Sequence, residues 1–240
     1  MTEIGLLSTI EQAELIRRGD LSSRELTEHF VERIERLDPE INAVVTRDFE
    51  VALNEADVAD EQGQKGEFIG ALHGIPITVK AALETRNLRS AGGAIELRDN
   101  VPDRDAAVVA SLRREGAIVM GKTNLPRWSG DIQSYNEIFG TTNNPWNLSC
   151  GPGGSSGGAA AAVAMGFTSF EIGTDIGGSI RFPAAFNGIW GHKPSFGVIP
   201  TTGYLDHTQG GLNEADINVF GPLTRSSTDL GFLLDIMKRN

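Results

Sequence analysis

Several features that would mark common classes of protein are absent from this chain of 240 residues. Its one cysteine, Cys150, excludes an intramolecular disulfide and a metal site built from cysteines. Acidic residues outnumber basic residues by 32 to 21, and the net charge of −11 argues against nucleic acid as a partner, because phosphate binding needs a basic face. No segment approaches the ~20 apolar residues of a membrane-spanning helix. We therefore expect neither a nucleic-acid partner nor a membrane partner.

Histidines and targeting signals are equally sparse. The four histidines form neither an HExxH motif nor a close pair, so no pattern for a catalytic metal is present. The first residues, MTEIGLLSTI, lack the basic start and apolar run of a secretion signal. With 40% apolar residues the chain can bury a sizeable core, and we expect a globular, cytoplasmic protein.

The order of the predicted elements is typical of an α/β fold. Capping boxes at residues 8–11 and 22–25 predict two N-terminal helices, the second ending near Pro39, and helical spacing returns over residues 49–64. Strands are expected at residues 41–45, 75–79 and 117–120, and helices at residues 106–115 and 226–238. This alternation predicts one incomplete domain with a mixed β-sheet between helix layers, with peripheral helices over residues 1–65 and a core over residues 66–240.

Two glycine-rich loops that carry serines lie close together in the chain. They are GPGGSSGG at residues 151–158 and GTDIGGSIR at residues 173–181, separated by an alanine-rich helix and a short apolar strand. Glycine allows backbone N–H groups to converge on one small space, and serine adds a hydroxyl nucleophile or proton relay there. This combination indicates acyl-transfer chemistry at a carbonyl.

One motif points to nucleotide binding instead. Residues 116–123, GAIVMGKT, match the phosphate-binding pattern GxxxxGK[ST], with Lys122 as its lysine. That pattern requires a loop between its glycines, whereas here the intervening residues are a predicted strand. Because successive N–H groups of a strand alternate in direction, they cannot all bind one phosphate.

A serine–histidine–aspartate hydrolase is another alternative. Residues 153–157 match the GxSxG turn of α/β-hydrolases, and His192 or His207 could follow as the base. A lysine base is the competing interpretation. Lys80 ends an apolar strand, where burial would lower its pKa and make the neutral amine available.

Beyond these loops, the sequence resembles the amidase signature family. The run GPGGSSGGAAAAVAMG followed by GTDIGGSIRFPAAFNGIWGHKPSFGVIP is similar to the family without gaps, and ALHGIPITVKAAL resembles its lysine segment. Two positions depart from the family pattern, because Ala81 stands where an acid is usual and Cys150 where an arginine is usual. Family members are about twice as long as this chain, so the resemblance implies an N-terminal portion of such a domain.

The resemblance implies a catalytic triad of serine, serine and lysine that works without metal or cofactor. By matching positions, Ser179 is the expected nucleophile, Ser155 the bridging serine held by a cis peptide bond, and Lys80 the base. The backbone N–H groups expected to form the oxyanion hole belong to Ile176, Gly177, Gly178 and Ser179. The residues expected to bind substrate or support the loops are Ser129, Ser156, Thr174, Asp175 and Arg181.

The function that the resemblance implies is hydrolysis of a small-molecule carboxamide to a carboxylate and ammonia or an amine. One alternative is the amidase component of a complex that delivers ammonia to glutamyl-tRNA, and we rank it lower because residues 126–138 do not resemble that branch. Another is an inactive remnant whose loops are only structural. A homodimer is a possible assembly of the longer protein.

Overall fold

The computed structural model describes residues 3–238 and begins with two capped helices. They are α1 (Thr9–Arg18) and α2 (Ser23–Ile41), and both predicted capping boxes are confirmed. Helix α2 continues two residues beyond Pro39 to Ile41, so the strand predicted at residues 41–45 begins later, at Val44. The buried carboxylate of Asp38 explains the delay, because it accepts the N–H groups of Ala43 and Val44 just after the helix.

A first sheet carries the strand that ends in the predicted lysine. Its strands and the neighbouring helices are β1 (Val44–Arg47), α3 (Phe49–Gln64), β2 (Pro76–Lys80), α4 (Ala107–Arg114) and β3 (Ile118–Thr123). The strand order is β1-β3-β2, with β2 parallel and β1 antiparallel to β3, so the sheet is mixed as predicted. In this register Lys80 lies opposite Thr123, and Val79 lies opposite Lys122.

The remaining strands form a short hairpin and a second sheet. The elements are β4 (Tyr135–Asn136), β5 (Gly140–Thr141), α5 (Gly157–Ala164), β6 (Glu171–Asp175), α6 (Arg181–Asn187), β7 (Trp190–Gly191), β8 (Val219–Thr224) and α7 (Ser227–Met237). The second sheet is antiparallel in the order β6-β8-β7, and β6 lies beside β2 of the first sheet. Short 3₁₀ turns occur at Ile4–Leu6, Ile95–Leu97 and Arg127–Ser129.

Helix α5 brings the first serine loop against the sheets. The helix is buried from Gly157 to Val163, which its run of small residues permits. A Cβ atom on Gly158 would lie 2.5 Å from the backbone N and O of Asn124, so glycine is required where α5 passes the end of β3. Serine and lysine therefore meet because β2, β3 and α5 pack closely.

Two absences hold for residues 3–238. No helix there is both long enough and apolar enough to cross a membrane. No group of three or more histidine, cysteine or acidic side chains there could hold a metal ion.

Candidate active site

The amino group of Lys80 lies at the centre of the candidate site. Its side chain is fully buried at the end of β2. Nζ donates to three hydroxyl oxygens, at 2.7 Å to Ser155 Oγ, 3.0 Å to Ser156 Oγ and 2.8 Å to Thr174 Oγ1. The structure therefore brings four of the predicted site residues together although they come from three separate segments.

Burial controls the charge of Lys80. Removal from water disfavours the ammonium form and lowers the pKa of Lys80 from 10.5 to about 7, while the carboxylates of Glu171 and Asp175 act in the opposite direction. An amine with a pKa near neutrality is available as a proton acceptor, which an exposed lysine is not.

The first serine loop is anchored to the second by backbone hydrogen bonds. Ser156 N–H donates to the carbonyl oxygen of Ser179 at 3.2 Å, and Thr174 N–H donates to Ser156 Oγ at 3.2 Å. The peptide bond between Gly154 and Ser155 is cis, as the resemblance implied. These contacts place Ser179 beside the loop that holds Ser155.

Asp175 organises the turn that carries Ser179. Its carboxylate accepts the N–H groups of Gly178 at 2.9 Å and Ile180 at 3.0 Å, and Arg181 donates to it at 2.9 and 3.1 Å. Burial alone would raise the pKa of Asp175, but the Arg181 guanidinium and the backbone donors hold it below its usual value. Gly178 has a φ of 121°, a backbone conformation that side chains rarely adopt.

The same contacts narrow the predicted oxyanion hole. Because Gly178 N–H is directed to the Asp175 carboxylate, it is not free for an oxyanion. The N–H groups of Ile176, Gly177 and Ser179 stay as predicted donors. Ser179 is partly exposed and Ile176 and Gly177 are exposed, so this turn is accessible from solvent.

Two residues border the lysine from the other side. Ser129 ends the 3₁₀ turn after β3, and its buried hydroxyl oxygen has no hydrogen-bond partner within residues 3–238. Tyr204 is buried nearby; burial raises the pKa of its hydroxyl, and the side chains of Ser129 and Thr174 oppose this shift. The sequence does not predict a role for Tyr204, because nothing in its local pattern indicates contact with a strand more than a hundred residues earlier.

The phosphate-binding alternative fails on geometry. Residues Ile118–Thr123 form β3, so the required loop is replaced by a strand. Lys122 is fully buried, and its Nζ donates to Leu83 O at 2.7 Å and Thr85 Oγ1 at 2.5 Å. It therefore faces the interior, where a nucleotide has no access.

The histidine-based alternative also lacks the necessary contacts. His207 pairs with its neighbour Asp206 on the surface. The backbone of His192 continues from β7 by donating to Pro222 O. Within residues 3–238 no hydrogen bond joins either imidazole ring to Ser155 or Ser179, whereas Lys80 contacts Ser155 directly.

An α/β fold that buries a lysine against paired serines defines a class of sites in which lysine occupies the place of a histidine. Residues 25–240 match the Amidase family model. The chain therefore belongs to the amidase signature family, as its resemblance implied.

Named relatives cover nearly all of this chain but share only part of their own length with it. One component of the glutamyl-tRNA(Gln) amidotransferase of Alkaliphilus metalliredigens is 39% identical over 94% of this chain and 45% of its own. A bacterial aryl acylamidase superposes with a TM-score of 0.89 at 32% identity, over 98% of this chain and 48% of its own. The peptide amidase of Stenotrophomonas maltophilia has a TM-score of 0.87 at 33% identity, over 97% and 48%. The chain thus spans about half the length of these proteins.

Proposed function

We propose that this chain carries the catalytic groups of an enzyme that hydrolyses carboxamides. In the proposed first step, neutral Lys80 accepts a proton from Ser155, and Ser155 accepts one from Ser179. Ser179 Oγ then bonds to the amide carbon, whose oxygen becomes an oxyanion. Backbone N–H groups of Ile176, Gly177 and Ser179 would stabilise that charge, and removal of one such donor from an enzyme costs about 3–4 kcal/mol.

The second half of the proposed reaction returns the protons. The carbon–nitrogen bond breaks as Lys80 sends its proton through Ser155 to the departing nitrogen. An ester between Ser179 and the acyl group remains, and water hydrolyses it to a carboxylate. The observation that carries this proposal is the set of hydroxyl contacts around buried Lys80, at 2.7 Å to Ser155 Oγ and 2.8 Å to Thr174 Oγ1.

Labelling with a fluorophosphonate tests the nucleophile directly. We expect modification at Ser179, and none in a Ser179→Ala variant of the same chain. Ser226→Ala is a matched control, because Ser226 lies at the start of α7 away from the site. Absence of labelling at Ser179 in the folded wild-type chain would favour the inactive remnant over the enzyme.

A second candidate function comes from the relatives at 39% identity, which are named as components of glutamyl-tRNA(Gln) amidotransferase. In that case the same lysine and serines would release ammonia for a transamidation reaction, and partner subunits would be required. Co-purification with such partners, and amide turnover only in their presence, would support this candidate. Turnover of simple amides by the isolated protein would support the hydrolase.

A further inference from the structure

A second buried lysine and a buried glutamate lie near Lys80, and the proposed mechanism uses neither. Lys122 belongs to β3 and Glu171 begins β6, and both are fully buried. The charge of Glu171 acts on Lys80 and on Lys122 alike. Because a buried carboxylate is unfavourable unless something compensates its charge, its place near two lysines needs an explanation.

The hydrogen-bond partners of Glu171 are neutral. Oε1 accepts from Thr123 Oγ1 at 2.7 Å, and Oε2 accepts from the N–H of Ile172 at 2.7 Å. Thr123 is the residue opposite Lys80 in the sheet, so this hydroxyl holds the carboxylate toward the end of β2. Within residues 3–238 no salt bridge joins Glu171 to a lysine or arginine, and its charge lacks a direct counter-ion.

Asp175 provides the contrast. It is the other carboxylate whose charge acts on Lys80, but Arg181 binds it through two nitrogens at 2.9 and 3.1 Å. The guanidinium therefore compensates much of the charge of Asp175. Glu171 is left as the carboxylate whose charge is available to Lys80.

We propose that Glu171 is a positioning residue that supplies the counter-charge for Lys80 while Lys80 holds the proton taken from Ser155. This inference rests on the proposed amide chemistry, in which Lys80 becomes an ammonium at a buried position. The carboxylate does not touch the substrate, because its action passes through Lys80.

Lys122 has a supporting part in this arrangement. Burial raises the pKa of Glu171 to about 7, and the positive charge of Lys122 opposes that shift. Lys122 is influenced in turn by Asp105 and Arg113, but it is not among the charges that act on Lys80. Its effect on Lys80 therefore passes through Glu171, which it helps to keep ionised.

Glu171→Gln is the direct test, because glutamine keeps an oxygen for Thr123 but carries no charge. The measurements are the pH dependence of kcat/KM for an amide and the titration of Lys80 by ¹³C NMR of ε-labelled lysine, assigned with Lys80→Met. We expect the midpoint of both to fall by about one pH unit, since Lys80 loses its counter-charge. Asp229→Asn is the control, because that buried carboxylate caps α1 and does not act on Lys80, so the midpoint stays in place.

A double-mutant cycle separates this coupling from a structural effect. We expect Lys122→Met alone to lower the midpoint by less than Glu171→Gln, and to add nothing in the Glu171→Gln background. An unchanged Lys80 titration in folded Glu171→Gln would overturn the inference. If that variant does not fold, an unchanged titration in Lys122→Met overturns it instead. A shifted NMR titration in a chain that hydrolyses no amide and takes up no fluorophosphonate would overturn the proposed function and leave the charge coupling standing.

Discussion

Lys80 ends β2, and Lys122 lies one residue before the end of its parallel neighbour β3. Both side chains are fully buried, and burial lowers the pKa of each to about 7. Consecutive residues of a strand face opposite sides of the sheet, so Lys122 points away from the side that Lys80 shares with Thr123.

The partners of the two amines differ more than their burial does. Lys80 contacts three hydroxyl oxygens, whereas Lys122 contacts the Leu83 carbonyl and the Thr85 hydroxyl. A hydroxyl can both accept and release a proton, but a carbonyl oxygen has none to release. The comparison shows that burial makes a lysine neutral, while the surrounding hydroxyls decide whether it can move protons.

The largest expected difference follows from exchanging each lysine for methionine. We expect Lys80→Met to lower kcat/KM for amides by about 10²–10⁴, because positioned proton transfer contributes that much. Lys122→Met should retain much more of the rate while it lowers the free energy of unfolding, since Leu83 O loses its buried donor. Steady-state hydrolysis and urea denaturation of both variants measure the two effects. Equal losses of rate would abolish the distinction between the lysines.

Ser155 and His192 test whether histidine has any part in proton transfer. Ser155→Ala should lower the rate of fluorophosphonate labelling at Ser179 by about 10² or more, because it interrupts the path from Lys80. His192→Ala should change that rate only slightly. The reverse order, with His192 essential and Ser155 dispensable, would restore the serine–histidine–aspartate alternative.

The pH dependence of the wild-type chain gives a smaller but direct measure. The neutral form of Lys80 is the proton acceptor, so kcat/KM should rise with pH and level off above the pKa of about 7. Below that value the rate should fall about tenfold for each pH unit. A rise that continues toward pH 10 would mean that Lys80 is not desolvated as the structure places it.

The smallest effects come from a matched pair of threonines. Thr174→Val removes a hydroxyl partner of Lys80, and Thr85→Val removes one from Lys122. We expect both to lower the free energy of unfolding by about 1–3 kcal/mol, the usual result of a lost buried hydrogen-bond partner. Only Thr174→Val should also lower kcat/KM. Thermal denaturation and hydrolysis assays of the two variants show whether the rate effect belongs to one site alone.

Local sequence patterns predicted many of the elements well. The helix predicted at residues 49–64 is confirmed as Phe49–Gln64, because its acids and alanines follow a helical period. Strand β8 was not predicted, since Gly221 and Pro222 interrupt its sequence and strand propensity is low at both. It forms because β6 and β7 pair with it on both sides.

The candidate site shows the same division. Glycine-rich loops and a lysine at the end of an apolar strand were visible in the sequence, and the family resemblance supplied their expected roles. The compensation of Asp175 by Arg181, the burial of Glu171 and the approach of Tyr204 could not be predicted. Each depends on contacts between segments whose patterns carry no information about one another.

The sequence by itself determined where the chain can turn tightly, which segments are helical and which serines lie in glycine-rich loops, since these depend on local backbone preferences and periodicity. Tertiary structure alone decided that Lys80, 75 residues before Ser155, meets its hydroxyl at 2.7 Å while Lys122 does not. The reason is physical: strand order, register and the close packing of α5 choose which of two similar buried amines faces the serines.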